Sequence, residues 1–468
     1  MKNTKRLVMR KFWAVIAIGG LGLSPVAALA ETLSDALISA YRASHLLDQN
    51  QAVLRAADED VAQAVGSLLP VVTFVADAQL SRLDLIGNGL SFPSQAESIK
   101  LQATLPLYTF GRGALNIDIK NELVLASQQS LVNVEQQVLL DAVSAYVNMG
   151  LQTELVAAQE SNVRLITQDL RAAQDRFDVG EVTRTDVALA QAQLASANAA
   201  LATAQGAYNV ARERYNAAIG HYPTTLAGLP KSPVTARSIA DARAIGLRSH
   251  PVILQAQHQA KASDLGVELA KRGMLPSLNG SVQLNQSLSP KDFSFGNLNS
   301  NVAIQLSQTI YEGGRLSSGL RQSIAQQEQA HAGLLQTGVS VSEAVGKAWS
   351  NILVANASIK AGDEQIRAAQ AAYDGVKEEA KLGSRTTLDV LDAEQKLLSA
   401  KASRLESTAN FYVGQYQLLS AMGQLTVSNL HLGIPTFDAQ AYYNAVRHAP
   451  ATGSRGAKLD RILKTLGK

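Results

Sequence analysis

The residues best placed for chemistry lie in two short related motifs, one in each half of the chain. The second motif combines Arg385 with Asp389 and Asp392, and the two aspartates are three positions apart, on one side of a helix. In a symmetric oligomer each aspartate would be repeated around the axis, and rings of carboxylates select cations at the mouth of a pore. An arginine beside them could tie neighbouring copies together. The motif therefore favours an ion-selecting gate.

The same two motifs have a purely structural interpretation. Their capping residues are Gly180 and Gly383, followed by Thr183 with Asp186 and by Thr386 with Asp389. The glycines are placed to end a helix in the left-handed conformation, and each threonine resembles an N-cap with an acidic residue three positions later. An aspartate at that place stabilises a helix start by about 0.3–1 kcal/mol through the helix dipole. The spacing favours the gate but leaves capping alone as an alternative.

Both motifs belong to a longer internal repeat. The segment 180–187 recurs as 383–390, and the segment 108–112 recurs as 311–315, with 203 positions between the copies in each case. A repeat at constant spacing indicates a duplicated structural unit. We therefore expect two related halves, each of which carries one of the motifs.

Four segments alternate between apolar and uncharged polar side chains, as β-strands with two different faces do. They begin near Val72, Ser98, Leu278 and Asn301, and each covers about ten residues, the length of a strand that crosses a membrane. A half-buried sheet of a soluble domain alternates in the same way, but the export signal and the long helices described below favour the membrane. Because four strands cannot close a barrel and lipid tolerates no open sheet edge, several chains would have to share one barrel.

Proline-free segments of unusual length follow the strand pairs. The expected helices cover 33–68, 113–177, 183–219, 247–272, 316–380 and 385–422. The two longest span on the order of 100 Å at about 1.5 Å per residue. Their alanine-rich sequences allow close packing on two sides. A bundle with a filled core is the simplest arrangement, but membrane strands continuous with such helices favour a hollow helical barrel.

The first thirty residues have the features of a secretory signal peptide. Five basic residues precede a short apolar run and the small-x-small pattern Ala28-Leu29-Ala30, which predicts cleavage before Glu31. Without these five cations the formal net charge changes from +3 to −2, so no strongly basic surface points to nucleic acid. The absence of cysteine argues against disulfides, cysteine-ligated metals and a lipid anchor on an N-terminal cysteine. The expected compartment is the periplasm or outer membrane of a Gram-negative cell.

The expected domain organisation follows from these patterns. It comprises the signal peptide (1–30), a first structural repeat (31–219), an insert (220–246), a second structural repeat (247–423) and a last segment with a basic tail (424–468). The family resemblance described below implies that the insert and the start of the last segment are equatorial, at mid-height of the helices. The prolines of the insert predict a non-helical segment. The tail after Gly423 is expected to be irregular, and its basic end (447–468) is expected to be mobile.

Catalysis has no support in the sequence. The seven histidines do not cluster at metal-ligand spacing, and His250 and His258 are eight positions apart. No glycine-rich phosphate loop follows a strand, since the glycine-rich stretch 19–22 belongs to the predicted signal peptide. We therefore predict no enzymatic activity, no cofactor and no metal site.

Several stretches resemble the TolC family. They are the mature start Glu31–Leu33, the strand end Leu105–Arg112, its repeat Ile310–Gly314, the turn Arg176–Gly180 and, most specific of all, Gly383–Ala393. The resemblance covers nearly the whole mature chain. It implies a mainly α fold with membrane β structure: a homotrimeric outer-membrane channel whose twelve-stranded β-barrel, four strands per chain, continues into a long α-helical barrel.

The resemblance also implies partners and a task. Channels of this family are the outer-membrane exit of tripartite export systems. They receive drugs or secreted proteins, including type I secretion cargo, from an inner-membrane ABC or proton-driven transporter through a periplasmic adaptor, and they conduct this cargo passively. The alternative is a non-conducting coiled-coil tether that spans the periplasm.

By resemblance, the residues of the two motifs form a gate. Arg385 matches the arginine that constrains the closed periplasmic aperture, and Asp186 and Thr185 match its partners in the first motif. Asp389 and Asp392 match two acidic rings that bind and select cations at the entrance. These roles are implied by the family pattern and are expectations for this chain.

One position departs from the family pattern. Ala380 stands where the family archetype has a tyrosine that helps to lock the closed state. Alanine offers neither a ring nor a hydroxyl group, so one contact of the lock is expected to be missing. We expect the closed state to be held less firmly or by other residues.

Overall fold

The computed structural model describes residues 30–85, 90–230, 232–233, 235–288, 294–447 and 461. The predicted signal peptide lies outside the described residues apart from Ala30, and so does most of the basic tail after Arg447. The described chain is mainly helical and contains one β-sheet.

The order of the elements repeats, as the sequence predicts. The first half contains α1 (Leu33–Ala43), α2 (His45–Gly66), β1 (Val71–Leu85), β2 (Leu90–Tyr108), α3 (Arg112–Asp178) and α4 (Arg184–Ile219). The second half contains α5 (Ile239–Ser249), α6 (Pro251–Arg272), β3 (Ser277–Leu288), β4 (Phe295–Ser307), α7 (Arg315–Lys381) and α8 (Thr387–Ala421), and α9 (Ala439–Val446) follows. Each half thus runs as two short helices, two strands, one long helix and one shorter helix.

The long helices α3 and α7 have the same length, 67 residues each. At about 1.5 Å per residue each extends about 100 Å. Helix α3 pairs with α4 and α7 pairs with α8 as two helical hairpins, while α8 also packs against α3, and α6 packs against both long helices. Within the described part of the chain, no helix is both long enough and apolar enough to cross a membrane.

The four strands form one antiparallel sheet in the order β1-β2-β3-β4, so the two halves meet where β2 pairs with β3. The register places apolar residues in rows, with Phe74 opposite Leu101 and Leu101 opposite Leu284. Large apolar side chains remain exposed on the single chain, Phe74 at 66% and Val302 at 75%. The described sheet therefore has an uncovered apolar surface and two open edges, β1 and β4.

The largest apolar core lies where elements of both halves pack against the middle of α3. Its buried members include Leu37 of α1, Leu139, Ala142 and Tyr146 of α3, Tyr215 of α4, and Leu418 of α8. The hydroxyl group of Tyr146 lies 2.9 Å from the carbonyl oxygen of Glu31 and 2.7 Å from that of Ala227. These contacts attach the segment before α1 and the connection after α4 to the long helix.

The expectation of a single helix over 33–68 is wrong. Ser44 separates α1 from α2, and its Oγ accepts a hydrogen bond from the Leu47 amide at 3.3 Å, which caps α2. A similar break separates α5 from α6 at His250 and Pro251. Proline lacks an amide donor and is favoured at the first position of a helix. The short helices of each half are therefore kinked pairs.

Two segments expected to be irregular contain helices. The insert 220–246 is helical from Ile239 onward, because the Ser238 Oγ accepts a backbone hydrogen bond in the first turn of α5 at 3.1 Å. The tail after Gly423 contains α9, whose N-cap Asp438 accepts two backbone hydrogen bonds at 2.9 and 3.1 Å. In both cases a local cap starts a helix that the surrounding irregular sequence conceals.

Candidate functional site

Each long helix ends in a tight turn that sends the chain back along a shorter helix. At the first tip (179–183), Gly180 has φ 79° and its amide donates to the Phe177 carbonyl at 3.0 Å. At the second tip (382–386), Gly383 has φ 78° and its amide donates to the Ala380 carbonyl at 3.2 Å. Glycine occupies this left-handed region at the least cost. The two glycines therefore end α3 and α7 and allow the hairpins to form.

Both return helices start with a capping box. Thr183 donates to Asp186 Oδ2 from its amide at 2.9 Å and from Oγ1 at 2.7 Å, and its Oγ1 accepts from the Asp186 amide at 3.3 Å. Thr386 and Asp389 make the same three contacts at 3.0, 2.9 and 3.3 Å. The hydrogen bonds from the threonines lower the pKa of both aspartates. Both carboxylates are therefore ionised at neutral pH and cap helices within one chain.

Arg385 has a partner that the sequence motif does not include. Its Nε donates to Glu379 Oε2 at 2.8 Å, and this hydrogen bond raises the pKa of the arginine. Within the single described chain no ion pair joins Arg385 to Asp186, and the Thr185 side chain is exposed. Sequence reasoning missed Glu379, for which the available signal was a carboxylate one turn before Gly383. Contacts of Arg385 with the first tip remain predictions about neighbouring copies.

The two tips flank one cleft. Its lining includes Arg176 and Asp186 from the first hairpin and Lys381 and Arg385 from the second. Ala380 also lines the cleft, so the position of the missing family tyrosine faces this space. Of the predicted gate residues, Arg385 and Asp186 line this cleft, whereas Thr185, Asp389 and Asp392 are not part of its lining.

Asp392 lies one turn further along α8 than Asp389 and is exposed. Among the described residues, histidine, aspartate and glutamate side chains form no group of three or more that could hold a metal ion. Cation binding by Asp389 and Asp392 stays a prediction about several copies of the chain around a common axis.

This architecture matches a known family along most of its length. Residues 37–221 and 246–424 fit the family model described as "Outer membrane efflux protein". The chain belongs to the outer membrane efflux protein family. The matched segments contain all four strands and both helical hairpins, so the family match covers the elements that position the tips.

Comparisons with individual efflux proteins extend this similarity. The outer membrane efflux protein BepC of Brucella suis biovar 1 (strain 1330) is 32% identical over 439 residues, which cover 93% of this chain and 94% of BepC. The outer membrane protein TolC of Escherichia coli (strain K12) is 27% identical over 479 residues, covering 94% of this chain and 92% of TolC. The solved outer-membrane channel OprN has the same fold, with a TM-score of 0.73 at 21% identity over 84% of this chain and 90% of OprN.

Membership of the efflux protein family settles the location and the class of the protein. It is an outer-membrane protein with a periplasmic helical domain, and it belongs to a transport family whose members are not enzymes. The expected compartment, the TolC-family resemblance and the fold class of one chain are thereby confirmed. A coiled-coil tether is not favoured by these similarities.

Proposed function

We propose that three copies of this chain form the outer-membrane exit duct of a tripartite export system. The observation that carries the proposal is the four-stranded sheet, with an uncovered apolar surface and two open edges, that continues into helices about 100 Å long. Lipid does not tolerate an open sheet edge, so β4 of one copy must pair with β1 of the next until the sheet closes. Three copies give twelve strands, the barrel that the family resemblance implies.

The duct conducts passively, and its partners supply the energy. An inner-membrane ABC or proton-driven transporter passes cargo to the duct through a periplasmic adaptor that contacts the helical hairpins. The description of the family and the name of BepC both refer to efflux, which supports small molecules such as drugs as cargo. Secreted proteins are the second class of cargo that a duct of this kind would carry.

The tips form a gate at the periplasmic entrance of this duct. Arg385 uses only its Nε toward Glu379, so further guanidinium donors are available for Asp186 and Thr185 of a neighbouring copy. Loss of these contacts lets the α3–α4 and α7–α8 hairpins move outward, a two-state change that adaptor docking biases. Asp389 and Asp392 form two acidic rings that bind and select cations at the entrance.

Single-channel conductance in a planar bilayer tests the duct and the gate together. Wild-type protein should show a small, cation-selective conductance. Arg385→Ala should raise it severalfold, because the contacts that hold the hairpins inward are lost. Arg367→Ala is a matched control, since Arg367 is an exposed arginine of α7 that lies away from the tips. Its Nη2 lies 2.9 Å from Glu364 Oε1.

Each outcome of this experiment bears on a separate part of the proposal. If inserted wild-type protein does not conduct, the duct is wrong and the non-conducting periplasmic tether takes its place. If the wild type conducts and Arg385→Ala conducts equally, the duct stands and the gating role of Arg385 is wrong.

A further inference from the structure

A cluster of three ionisable side chains joins the two hairpins above the tips. Asp169 of α3 lies eleven residues before Gly180, about 16 Å along the helix. The carboxyl group of Glu394, on α8, lies against that of Asp169, and only 5% of Glu394 is exposed. The positive charge of Lys377 on α7 attracts both carboxyl groups electrostatically, and its Nζ donates a hydrogen bond to the buried Tyr373 hydroxyl at 3.1 Å. The cluster thus includes both helices of the second hairpin, α7 and α8, and the long helix α3 of the first.

The hydrogen bonds and charges of this cluster do not balance if both carboxyl groups are ionised. Among the described residues, neither oxygen of Glu394 nor Oδ2 of Asp169 receives a hydrogen bond. Two carboxylates only accept, so neither can satisfy the other. One lysine against two carboxylates also leaves a surplus negative charge in a buried place, which is costly. A single proton between the carboxyl groups supplies the missing donor and makes the cluster neutral.

We propose that Asp169 and Glu394 share one proton, and that loss of this proton separates the two hairpins. The cluster would then be a proton-sensitive joint in the wall of the duct, distinct from the arginine contacts at the tips. The effect on conduction rests on the proposed duct and gate, whereas the shared proton itself does not.

The expected titration agrees with this geometry. Burial raises the pKa of Glu394 to about 7, the charge of Asp169 adds to the increase, and Lys377 opposes it. Burial also raises the pKa of Asp169. The hydrogen bond to Tyr373 and the two carboxyl groups raise the pKa of Lys377, so the lysine remains charged. Near neutral pH the group that changes charge is therefore the carboxyl pair.

The direction of the switch follows from proton linkage. When the hairpins separate, water reaches Glu394 and its pKa returns toward the ordinary value of 4.5. The joined state then binds the proton more tightly than the separated state. Its advantage is complete below pH 4.5 and is lost as the pH rises through about 7. Acidification on the periplasmic side is therefore expected to hold the duct closed, and a neutral to basic pH to release it.

Other charged groups near the cluster lie toward the tips. Asp169 and Lys377 line the cleft between the tips together with five other charged residues: Arg176 of α3, Glu181 of the first tip, Asp186 of α4, Lys381 of α7 and Arg385 before α8. Glu181 pairs with Arg176 at 4.0 Å. Hydrogen bonds from Thr183 lower the pKa of Asp186, so it stays ionised through the neutral range. Asp392, two residues before Glu394, is exposed and lies on the opposite side of α8, since consecutive residues are about 100° apart around a helix.

Infrared spectroscopy of purified protein in deuterated water tests the shared proton without reference to transport. The wild type should show the carbonyl stretching band of a protonated carboxylic acid that persists in mildly acidic solution and disappears as the pH passes about 7. Burial also raises the pKa of Asp58 on α2 to about 7, so the band is measured in Asp58→Asn protein. In that background Glu394→Gln should remove the band, and Glu406→Gln, which removes an exposed carboxyl group from the same helix, should keep it. Asp58→Asn protein without such a band overturns the proposal.

Conductance as a function of pH on the side of the tips tests the joint. Wild-type conductance should rise as the pH passes about 7, and Glu394→Gln, which mimics the protonated acid, should stay at the low-pH level. Lys377→Met should move the midpoint upward by about 1–3 pH units, because the opposing positive charge is lost. A conducting Glu394→Gln channel that keeps the wild-type pH dependence overturns the joint. A titrating band in protein that never conducts supports the shared proton and overturns the duct instead.

Discussion

Arg385 and Asp392 occupy positions whose repeat partners in the first half are Val182 and Leu189. The duplication has therefore kept the residues that form the turns and caps, including the capping aspartates Asp186 and Asp389, while Arg385 and Asp392 are charged residues of the second tip alone. Capping residues depend on local spacing, which is why Gly180 and Gly383 could be recognised from the sequence. The partners of the charged residues depend on packing, so the Glu379 contact became visible only in the structure.

At the residue scale, Gly383→Ala should loosen the second tip. A methyl group has free space there, but φ 78° is strained for alanine by roughly 1–2 kcal/mol. Amide hydrogen exchange at the end of α7 and the start of α8 should therefore become faster. Gly375→Ala is the matched control, since this helical glycine also has free space and no positive φ.

The control should stabilise α7 by about 1 kcal/mol, because alanine has the higher helix propensity. If amide exchange at the second tip is no faster in Gly383→Ala than in Gly375→Ala, the left-handed conformation of Gly383 is not what keeps the tip folded.

At the scale of elements, the sequence predicted the long helices well, the strands only in number and alternation, and the helix breaks poorly. Strands β1 and β2 cover 15 and 19 residues where about ten were expected, and β2 begins at Leu90 rather than near Ser98. Helices α3 and α7 begin and end within one residue of the expected ranges 113–177 and 316–380, because proline-free segments bounded by glycine turns have clear ends. Ser44 was missed because a serine is compatible with a helix interior, and only its side-chain hydrogen bond to α2 marks the break. Helix starts that depend on a single side-chain cap are thus the feature that sequence patterns predict least well.

The two faces of β4 should tolerate a charge differently. Val302→Lys places a charge on the exposed apolar face and should cost about 2–4 kcal/mol near the middle of the membrane, which lowers the amount of folded protein in the outer-membrane fraction. Asn301→Lys places the same charge on the adjacent polar position and should leave that amount unchanged while it reduces cation selectivity. Equal losses for both variants would mean that the two faces do not separate lipid from lumen.

At the scale of the whole molecule, the proposed assembly depends on the two open edges of the sheet. Native mass spectrometry of protein released from detergent micelles should give three times the mass of the processed chain, because pairing of β4 with β1 of the next copy leaves no free edge. A monomeric or dimeric species as the largest folded form would contradict the shared barrel. The number of copies was open from the strands alone and entered through the family resemblance.

The equal length of α3 and α7 also affects the surface that the proposed duct would present to a docking partner. Because each copy extends two hairpins to the same depth, a trimer would present six tips of nearly one shape around a three-fold axis. The backbones of the six tips would therefore have approximate six-fold symmetry. Their charges would have only three-fold symmetry, because Arg385 and Asp392 occur in every second tip. A partner that recognises backbone shape should dock with six copies, and one that recognises charge with three. The stoichiometry of the docked complex would therefore reveal which property is recognised.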